Sequence, residues 1–256
     1  MSKFNQMTSL KPILIAALAM LTIPVSAQIK KGTRMVGVTA GTVVYNSGSS
    51  DVSFGSSTAG YSTKVSSWGV NIVPSIGYFI NERMAIGFNL NINPSGSKTS
   101  FQSGNTTFQQ DKVNGLIMGA GGFIRNYFKS GGTWLPFGQF GLNTGTTTQK
   151  TSGFFYGGSG PGAYKETYTG KSSSGFFANA SFTLGLTRLL SAHTGFDVSA
   201  GYMYSYNKYT YKTTRLRDDA VDGTIDQTAV STPSTNYTNH GLTLNIGFQI
   251  FLDPHK

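Results

Sequence analysis

The stretch GLTLNIGFQIF, residues 241–251, alternates apolar and polar side chains without a break. Its apolar positions are Leu242, Leu244, Ile246, Phe248 and Ile250. Successive side chains of a β-strand point to opposite sides of the sheet, so this strand has one apolar face and one polar face. The apolar face would pack into the core of a soluble sandwich, whereas it would contact lipid in a membrane barrel.

Seven other segments show the same alternation. They predict strands at about 35–45, 66–80, 84–93, 113–127, 134–146, 175–187 and 195–211. The connections between these strands are alternately short, near 81–83, 128–133 and 188–194, and long, near 46–65, 94–112, 147–174 and 212–236. This order indicates an up-and-down barrel with its short turns and both termini at one end and its long loops at the other.

The apolar faces have the length that a membrane requires. Trp68 and Tyr78 are ten residues apart on one face of the second predicted strand. With about 3.3 Å per residue and a tilt of about 40°, this span projects to about 25 Å on the barrel axis, the height of the apolar band of an outer-membrane barrel. The lipid-facing candidates are Trp68, Tyr78, Ile86, Phe88, Leu90, Phe196, Leu242, Leu244, Ile246, Phe248 and Ile250.

A soluble β-sandwich explains the alternation equally well. It does not require connection lengths that alternate, a fixed apolar span or strands with so little charge. We therefore predict an all-β fold, a closed eight-stranded antiparallel transmembrane barrel with short periplasmic turns and long extracellular loops. Pro74 lies in the middle of a predicted strand and lacks a ladder donor, so we expect a bulge or kink there.

The first residues and the composition indicate an exported protein. Lys3 and Lys11 precede an apolar run, which is followed by the small residues of Val25-Ser26-Ala27. This pattern is typical of a cleaved secretory signal peptide, and an uncleaved membrane anchor is the alternative. We expect a signal peptide at 1–27 and a barrel domain at 28–256, located in the outer membrane of a Gram-negative-type bacterium. The chain has no cysteine, and its scattered basic residues, despite a net charge of +10, argue against a nucleic-acid partner.

Residues 28–256 resemble the eight-stranded outer-membrane β-barrel superfamily, the OmpA-like and OmpX-like porin family. The turn GYFINERMAIG at 77–87 and the last strand, 241–252, carry the resemblance. It implies contact with outer-membrane lipids, including lipopolysaccharide, and assembly by the outer-membrane insertion machinery, for which the last strand is the signal. The terminal phenylalanine usual in the family is missing, and four residues follow Leu252.

The polar faces predict the lumen. An eight-stranded barrel is just wide enough for side chains to fill, so we expect a plugged or nearly plugged interior held by a polar network. Its candidates are Arg125, Asp197, Asn71, Asn89, Asn91, Gln139, Asn143, Asn179, Asn245 and Gln249. Arg125 and Asp197 could form an ion pair. Inward glycines, such as Gly87, Gly141, Gly185 and Gly247, would leave volume free and keep a narrow water-filled path open.

Candidates for catalysis or metal binding are few. His240 lies near the predicted outer rim, and the fourth long loop supplies Asp218, Asp219, Asp222 and Asp226. A His–Asp pair with a rim serine, or a calcium site, can be drawn from them, but no spacing enforces either. We therefore expect no catalytic activity, no cofactor and no metal.

The long loops carry the functional hypothesis. Residues 156–175 and 206–217 are rich in Ser, Gly, Thr, Tyr and Lys, a composition that suits an adaptable binding surface. We expect a structural and surface-interaction role in which the loops contact an extracellular ligand or partner protein. A narrow passive pore for small polar solutes is the alternative, and a rim hydrolase or acyltransferase is a third hypothesis.

Overall fold

A computed structural model describes residues 29–53, 60–158 and 162–253, so the predicted signal peptide lies outside the described residues. The strands are β1 (Arg34–Ser53), β2 (Gly60–Phe79), β3 (Met84–Ser103), β4 (Thr106–Tyr127), β5 (Trp134–Gly157), β6 (Tyr164–Leu189), β7 (Thr194–Asp218), β8 (Gln227–Ser231) and β9 (Ser234–Leu252). Within this part of the chain, no helix has the length and apolar character needed to cross a membrane.

The strands form a closed antiparallel ring. Each strand from β1 to β6 pairs with the next along the chain, and β9 pairs with both β7 and β1. Eight strands therefore close on themselves, and the predicted up-and-down barrel is confirmed. The short β8 pairs with β7 at 213–217, beyond the last residue of β7 that pairs with β9.

Short turns and both ends of the barrel chain lie at one rim, as predicted. The turns are residues 80–83, 128–133 and 190–193. Arg34 pairs with Leu252 at the same rim. In the first turn the side-chain oxygen of Asn81 accepts the backbone N–H groups of Arg83 and Met84, each at 2.8 Å, and so closes the turn through local hydrogen bonds.

At the opposite rim the predicted loops are largely paired strands. Pairing of β3 with β4 continues to Ser103 and Thr106 and ends in a two-residue turn, where Gly104 has a φ of 58° that favours glycine. Pairing of β5 with β6 likewise continues to Gly157 and Tyr164. These extensions carry polar residues on both faces, so they lack the apolar alternation that identifies a strand.

We expected a bulge or kink at Pro74, and the register of β2 against β1 shows no bulge there. Pro74 pairs in sequence opposite Val38 without a shift, while pairing of β2 with β3 is interrupted both at Val70 and Asn71 and at Val73 and Pro74. The missing N–H is thus accommodated by a gap in one ladder. A bulge instead interrupts β1 between Gly41 and Val44, and it brings Tyr45 opposite Trp68 on the outer face.

The hydrophobic core is a plug inside the short-turn rim. Its buried members are Ile29, Met35, Phe79, Ala85, Phe123, Tyr127, Leu135, Phe137, Leu189 and Phe251. The Phe79 ring stacks on Tyr127 with centroids 5.7 Å apart and lies 6.2 Å from Phe251. Aromatic rings therefore occupy the lumen where the sequence predicted a mostly polar interior.

Glycines make room for these rings. The edge of Phe123 lies against Gly77 and Gly87, and a Cβ at Gly87 would come within 2.5 Å of that ring and would overlap the Ile76 carbonyl oxygen. Phe137 lies against Gly185 in the same way. The expectation that inward glycines leave volume free is therefore wrong at Gly87 and Gly185, because neighbouring aromatic side chains fill the space.

We predict that Gly87→Ala prevents folding or costs more than about 3 kcal/mol, because a backbone oxygen cannot move away as a flexible side chain can. Gly122→Ala is the matched control: it lies opposite Phe88 on the outer face, and its Cβ would be 3.6 Å from the nearest atom. Refolding yield in detergent, measured by heat-dependent gel mobility, separates the two. Equal yields for both variants would contradict the packing described here.

Candidate functional site

The outer wall carries an apolar belt. All eleven lipid-facing candidates have exposed side chains, from Phe196 at 37% to Leu242 at 88%. Trp68 and Tyr78, at the two ends of the belt on β2, are both exposed. An exposed apolar surface of this extent belongs against lipid or another apolar surface, and here it continues around a closed ring. The barrel is therefore of the membrane-spanning type.

Arg125 lies at the centre of a buried network just above the plug. Its guanidinium donates to the carboxylate of Asp197 at 2.7 Å, to the side-chain oxygen of Gln139 at 2.7 Å and to the Tyr127 hydroxyl at 3.2 Å. The guanidinium carbon also lies 4.1 Å from the centroid of the Phe137 ring. The ion pair suggested by the sequence is thus present, and Gln139 belongs to the same hydrogen-bond network.

Asp197 is satisfied from three directions. Besides Arg125, it accepts a hydrogen bond from the Thr187 hydroxyl at 2.6 Å and one from the side-chain amide of Gln249 at 3.1 Å. Both carboxylate oxygens therefore have donors. A buried charge costs several kcal/mol unless it is paired and hydrogen-bonded, and this arrangement meets both conditions.

The remaining lumen candidates lie outside this network. Asn143 donates to Asn179 at 3.0 Å across β5 and β6. Asn89 and Asn91 are buried, and the side-chain oxygen of Asn89 has no hydrogen-bond partner among the described residues. The side chain of Asn245 lies against Gly41. The structure thus brings Arg125, Asp197, Gln139 and Gln249 together, and it places the asparagines elsewhere along the lumen.

A second polar site lies inside the hairpin extensions, which we call the cup. It is a cavity of about 450 Å³ lined by Gln109, Asp111, Val113, Thr151, Phe155, Tyr168, Tyr211, Thr213 and Arg215. On β4, Asp111 is fourteen residues from Arg125, roughly 35 Å along the barrel axis. The cup is therefore beyond the belt, on the side away from the short turns.

Hydrogen bonds fix the side chains of the cup. The Tyr168 hydroxyl donates to the Asp111 carboxylate, and the Tyr211 hydroxyl donates to the side-chain oxygen of Gln149. Arg215 pairs with Glu166 at 3.0 Å. Burial raises the pKa of Tyr168, and its bond to Asp111 adds to the shift. Tyr168 therefore stays a neutral donor throughout the physiological pH range.

Sequence reasoning missed the cup because most of its residues fell in predicted loops, and Val113 and Tyr211 fell at the very ends of predicted strands. Once β4 and β7 are known to continue, odd-numbered positions such as Asp111 and Tyr211 fall on the inner face by simple alternation. The signal that could have found them is the continued register, which polar side chains on both faces conceal.

The residues considered for catalysis, His240 and the aspartates of the fourth long loop, do not lie together. His240 pairs across the ladder with Tyr204, and its ring nitrogen lies 2.8 Å from the Tyr202 hydroxyl at the exposed outer face. Asp218 is fourteen residues beyond Tyr204 on β7, roughly 45 Å along the strand. The His–Asp pair considered from the sequence is thus not formed.

The acidic loop is organised by its own backbone. The Asp218 carboxylate accepts the N–H groups of Asp222 at 3.1 Å and Gly223 at 2.9 Å, and Asp226 accepts the N–H of Asp219 at 2.6 Å. Backbone N–H groups lower the pKa of Asp222. Among residues 29–53, 60–158 and 162–253, no three acidic, His or Cys side chains are grouped so that they could hold a metal ion.

Comparisons with known proteins place the chain beside other barrels at low similarity. Neither a family model nor a curated protein matches the sequence. The outer membrane protein OprG from Pseudomonas aeruginosa is 16% identical, with a TM-score of 0.41, over 88% of this chain and 98% of that one. The outer membrane protein AlkL, solved in lipid bilayers, is 13% identical, with a TM-score of 0.34, over 89% and 93%. Similarity at this level does not extend to what the protein binds.

We predict that Asp197→Asn lowers the free energy of unfolding by about 3–5 kcal/mol, because Arg125 would be left as an uncompensated buried charge. The control is Arg215→Gln, which breaks the ion pair with Glu166 at a largely exposed guanidinium and should cost no more than about 1 kcal/mol. Urea unfolding in lipid vesicles measures both. A loss below about 1 kcal/mol for Asp197→Asn would show that the buried pair does not hold the barrel.

Proposed function

We propose that the protein is a non-catalytic outer-membrane barrel that binds a polar extracellular ligand in the cup. The observation that carries the proposal is the contrast between the two ends of the lumen. At the short-turn rim, Phe79, Tyr127 and Leu135 have no exposed surface. At the other rim, the extended strands enclose a cavity lined by polar and aromatic side chains.

Several features support the outer membrane as its location. Only helices and closed barrels satisfy every backbone hydrogen bond within lipid, and barrels of even strand number with short turns at one rim are the outer-membrane type. The short-turn rim then faces the periplasm and the cup faces outside. Insertion by the outer-membrane assembly machinery is part of the same proposal.

The side chains of the cup favour a carbohydrate-like ligand. Phe155, Tyr168 and Tyr211 offer ring faces and hydroxyl groups, and Asp111 and Arg215 offer charged hydrogen-bonding groups beside them. Rigid amphipathic rings next to a few placed polar groups are well suited to a ligand that presents both C–H faces and hydroxyls. We propose binding rather than catalysis, because His240 lies on the outer wall and not in the cup.

The alternative, a passive pore, conflicts with the plug. Two layers block the lumen: the stacked rings around Phe79 and, above them, the network around Arg125. We predict that the purified protein in planar bilayers gives no stable unitary conductance. Removing both layers, with Phe79→Ala and Phe251→Ala in the plug and Arg125→Ala and Asp197→Ala in the network, should produce openings, whereas Phe88→Ala on the outer face should not. Stable channels from the unaltered protein would favour the pore instead.

We predict that Tyr168→Ala weakens binding of a retained oligosaccharide by at least about tenfold, because it removes a ring and a hydroxyl from the cup. The folded protein is screened against an immobilised oligosaccharide panel. Thr169→Ala is the matched control, since Thr169 is the next residue on β6, and its side chain is exposed. No retained oligosaccharide, or equal losses in both variants, would contradict the proposed ligand class.

A further inference from the structure

Seven exposed lysines lie on the outer wall beyond the apolar belt, and we call them the lysine girdle. They are Lys64 on β2, Lys98 on β3, Lys112 on β4, Lys150 on β5, Lys171 on β6, and Lys208 and Lys212 on β7. The outer face is established by register. Lys112, for example, continues the even-numbered series of β4 that includes the belt residues Met118 and Ile124.

The girdle lies above the belt, toward the cup, in a zone roughly 10 Å tall, because Lys208 and Lys212 are four residues apart on β7. Lys64 is four residues beyond Trp68, and Lys208 is four residues beyond Tyr204. Four residues of a tilted strand rise roughly 10 Å along the barrel axis. Trp68 and Tyr204 are exposed rings at the end of the apolar belt, where amphipathic aromatics mark the membrane interface. The ammonium groups of Lys64 and Lys208 thus fall at the height of lipid headgroups, and that of Lys212 lies roughly 10 Å higher.

Direct ladder neighbours within the girdle carry the same charge. Lys98 pairs with Lys112, and Lys171 pairs with Lys150 on one side and Lys212 on the other. Like charges directly opposite one another on a sheet destabilise it. Repulsion between these lysines destabilises the protein by itself, and an anion bound between two neighbouring lysines would reduce that repulsion.

The protein supplies little negative charge to balance the girdle. The ion pairs among the described residues are Arg125–Asp197, Arg215–Glu166 and Arg217–Asp219, and none of them includes a girdle lysine. Asp51 is an exposed acid opposite Ser62, which is two residues from Lys64, and it takes part in none of these ion pairs. The counter-ions must therefore come from the surroundings of the barrel.

We propose that the lysine girdle binds the phosphate groups of a phosphorylated glycolipid in the leaflet on the cup side. Lysine is a point charge suited to phosphate, and each basic residue near an anionic membrane surface contributes about fivefold to affinity. The girdle faces outward and begins at headgroup height, so the ligand that meets it is a membrane lipid and not a solute in the cup. The inference depends on insertion of the barrel in a membrane but not on the cup ligand.

The test is binding of purified diphosphoryl lipid A to the folded protein in mixed micelles. A variant with Lys98, Lys112, Lys150, Lys171 and Lys212 each changed to Gln should bind at least about a hundredfold more weakly. Binding to the unaltered protein should weaken as salt rises. Dephosphorylated lipid A should bind both proteins weakly and equally, and millimolar inorganic phosphate should not compete, which distinguishes a lipid headgroup from free phosphate.

The matched control removes the same kind of charge at the other rim, with Lys30→Gln, Lys31→Gln and Lys129→Gln. It should bind diphosphoryl lipid A as the unaltered protein does. The single variant Lys171→Gln adds a readout that does not depend on the five-site variant folding: without lipid and at low salt its unfolding temperature should rise, while its lipid affinity falls. Unchanged affinity in the five-site variant, an equal loss in the control, or equal binding of dephosphorylated lipid would overturn the proposal.

Discussion

The structure depends on closure of the backbone hydrogen-bond ladder. A strand edge exposed to hydrocarbon would leave N–H and C=O groups without partners at several kcal/mol each, so a membrane sheet must have no edge. Pairing of β1 with β9 from Arg34 and Leu252 to Gly41 and Asn245 provides this closure. The bulge in β1 begins where that pairing ends, in the part of the apolar belt that is nearer the cup.

Closure with eight strands also fixes how much the lumen can hold. Rings as large as Phe123 and Phe137 fit inside only because glycines face them on neighbouring strands. The same limited space brings Arg125 and Asp197 into contact from β4 and β7 across the barrel. The plug and the ion pair therefore follow from one geometric limit, and together they occupy the short-turn half of the interior.

The sequence was sufficient for the ring and the belt, and insufficient for the plug and the cup. Leu242 and Phe88 could be assigned to the outer face because lipid selects apolar residues at every second position. Inside, Phe79 and Asn89 occupy the same phase of their strands, so alternation cannot tell an aromatic plug from a polar lumen. Which aromatic meets which glycine depends on register between strands, and a single strand does not contain that information.

In the strand extensions beyond the membrane, side chains still alternate between the two faces, but both faces carry polar residues. Water lies on both sides of the extended hairpins, so neither face needs to be apolar, and the signal that identifies strands is lost. The strands are nevertheless held by the continued ladder and by contacts such as Arg217 over the Tyr164 ring at 4.0 Å. Neighbouring residues then point to different surroundings, as with Asp111 in the cup and Lys112 in the girdle.

This division links the two proposals physically without making either depend on the other. Tyr211 and Lys212 follow one another on β7, with Tyr211 lining the cavity and Lys212 exposed on the outer wall. Anions that neutralise the outer row would reduce repulsion between Lys171 and Lys212 and so favour the paired state of β6 and β7. Those two strands carry Tyr168 and Tyr211 on their other face. Lipid at the outer wall would thereby stabilise the strands that hold the cup in shape.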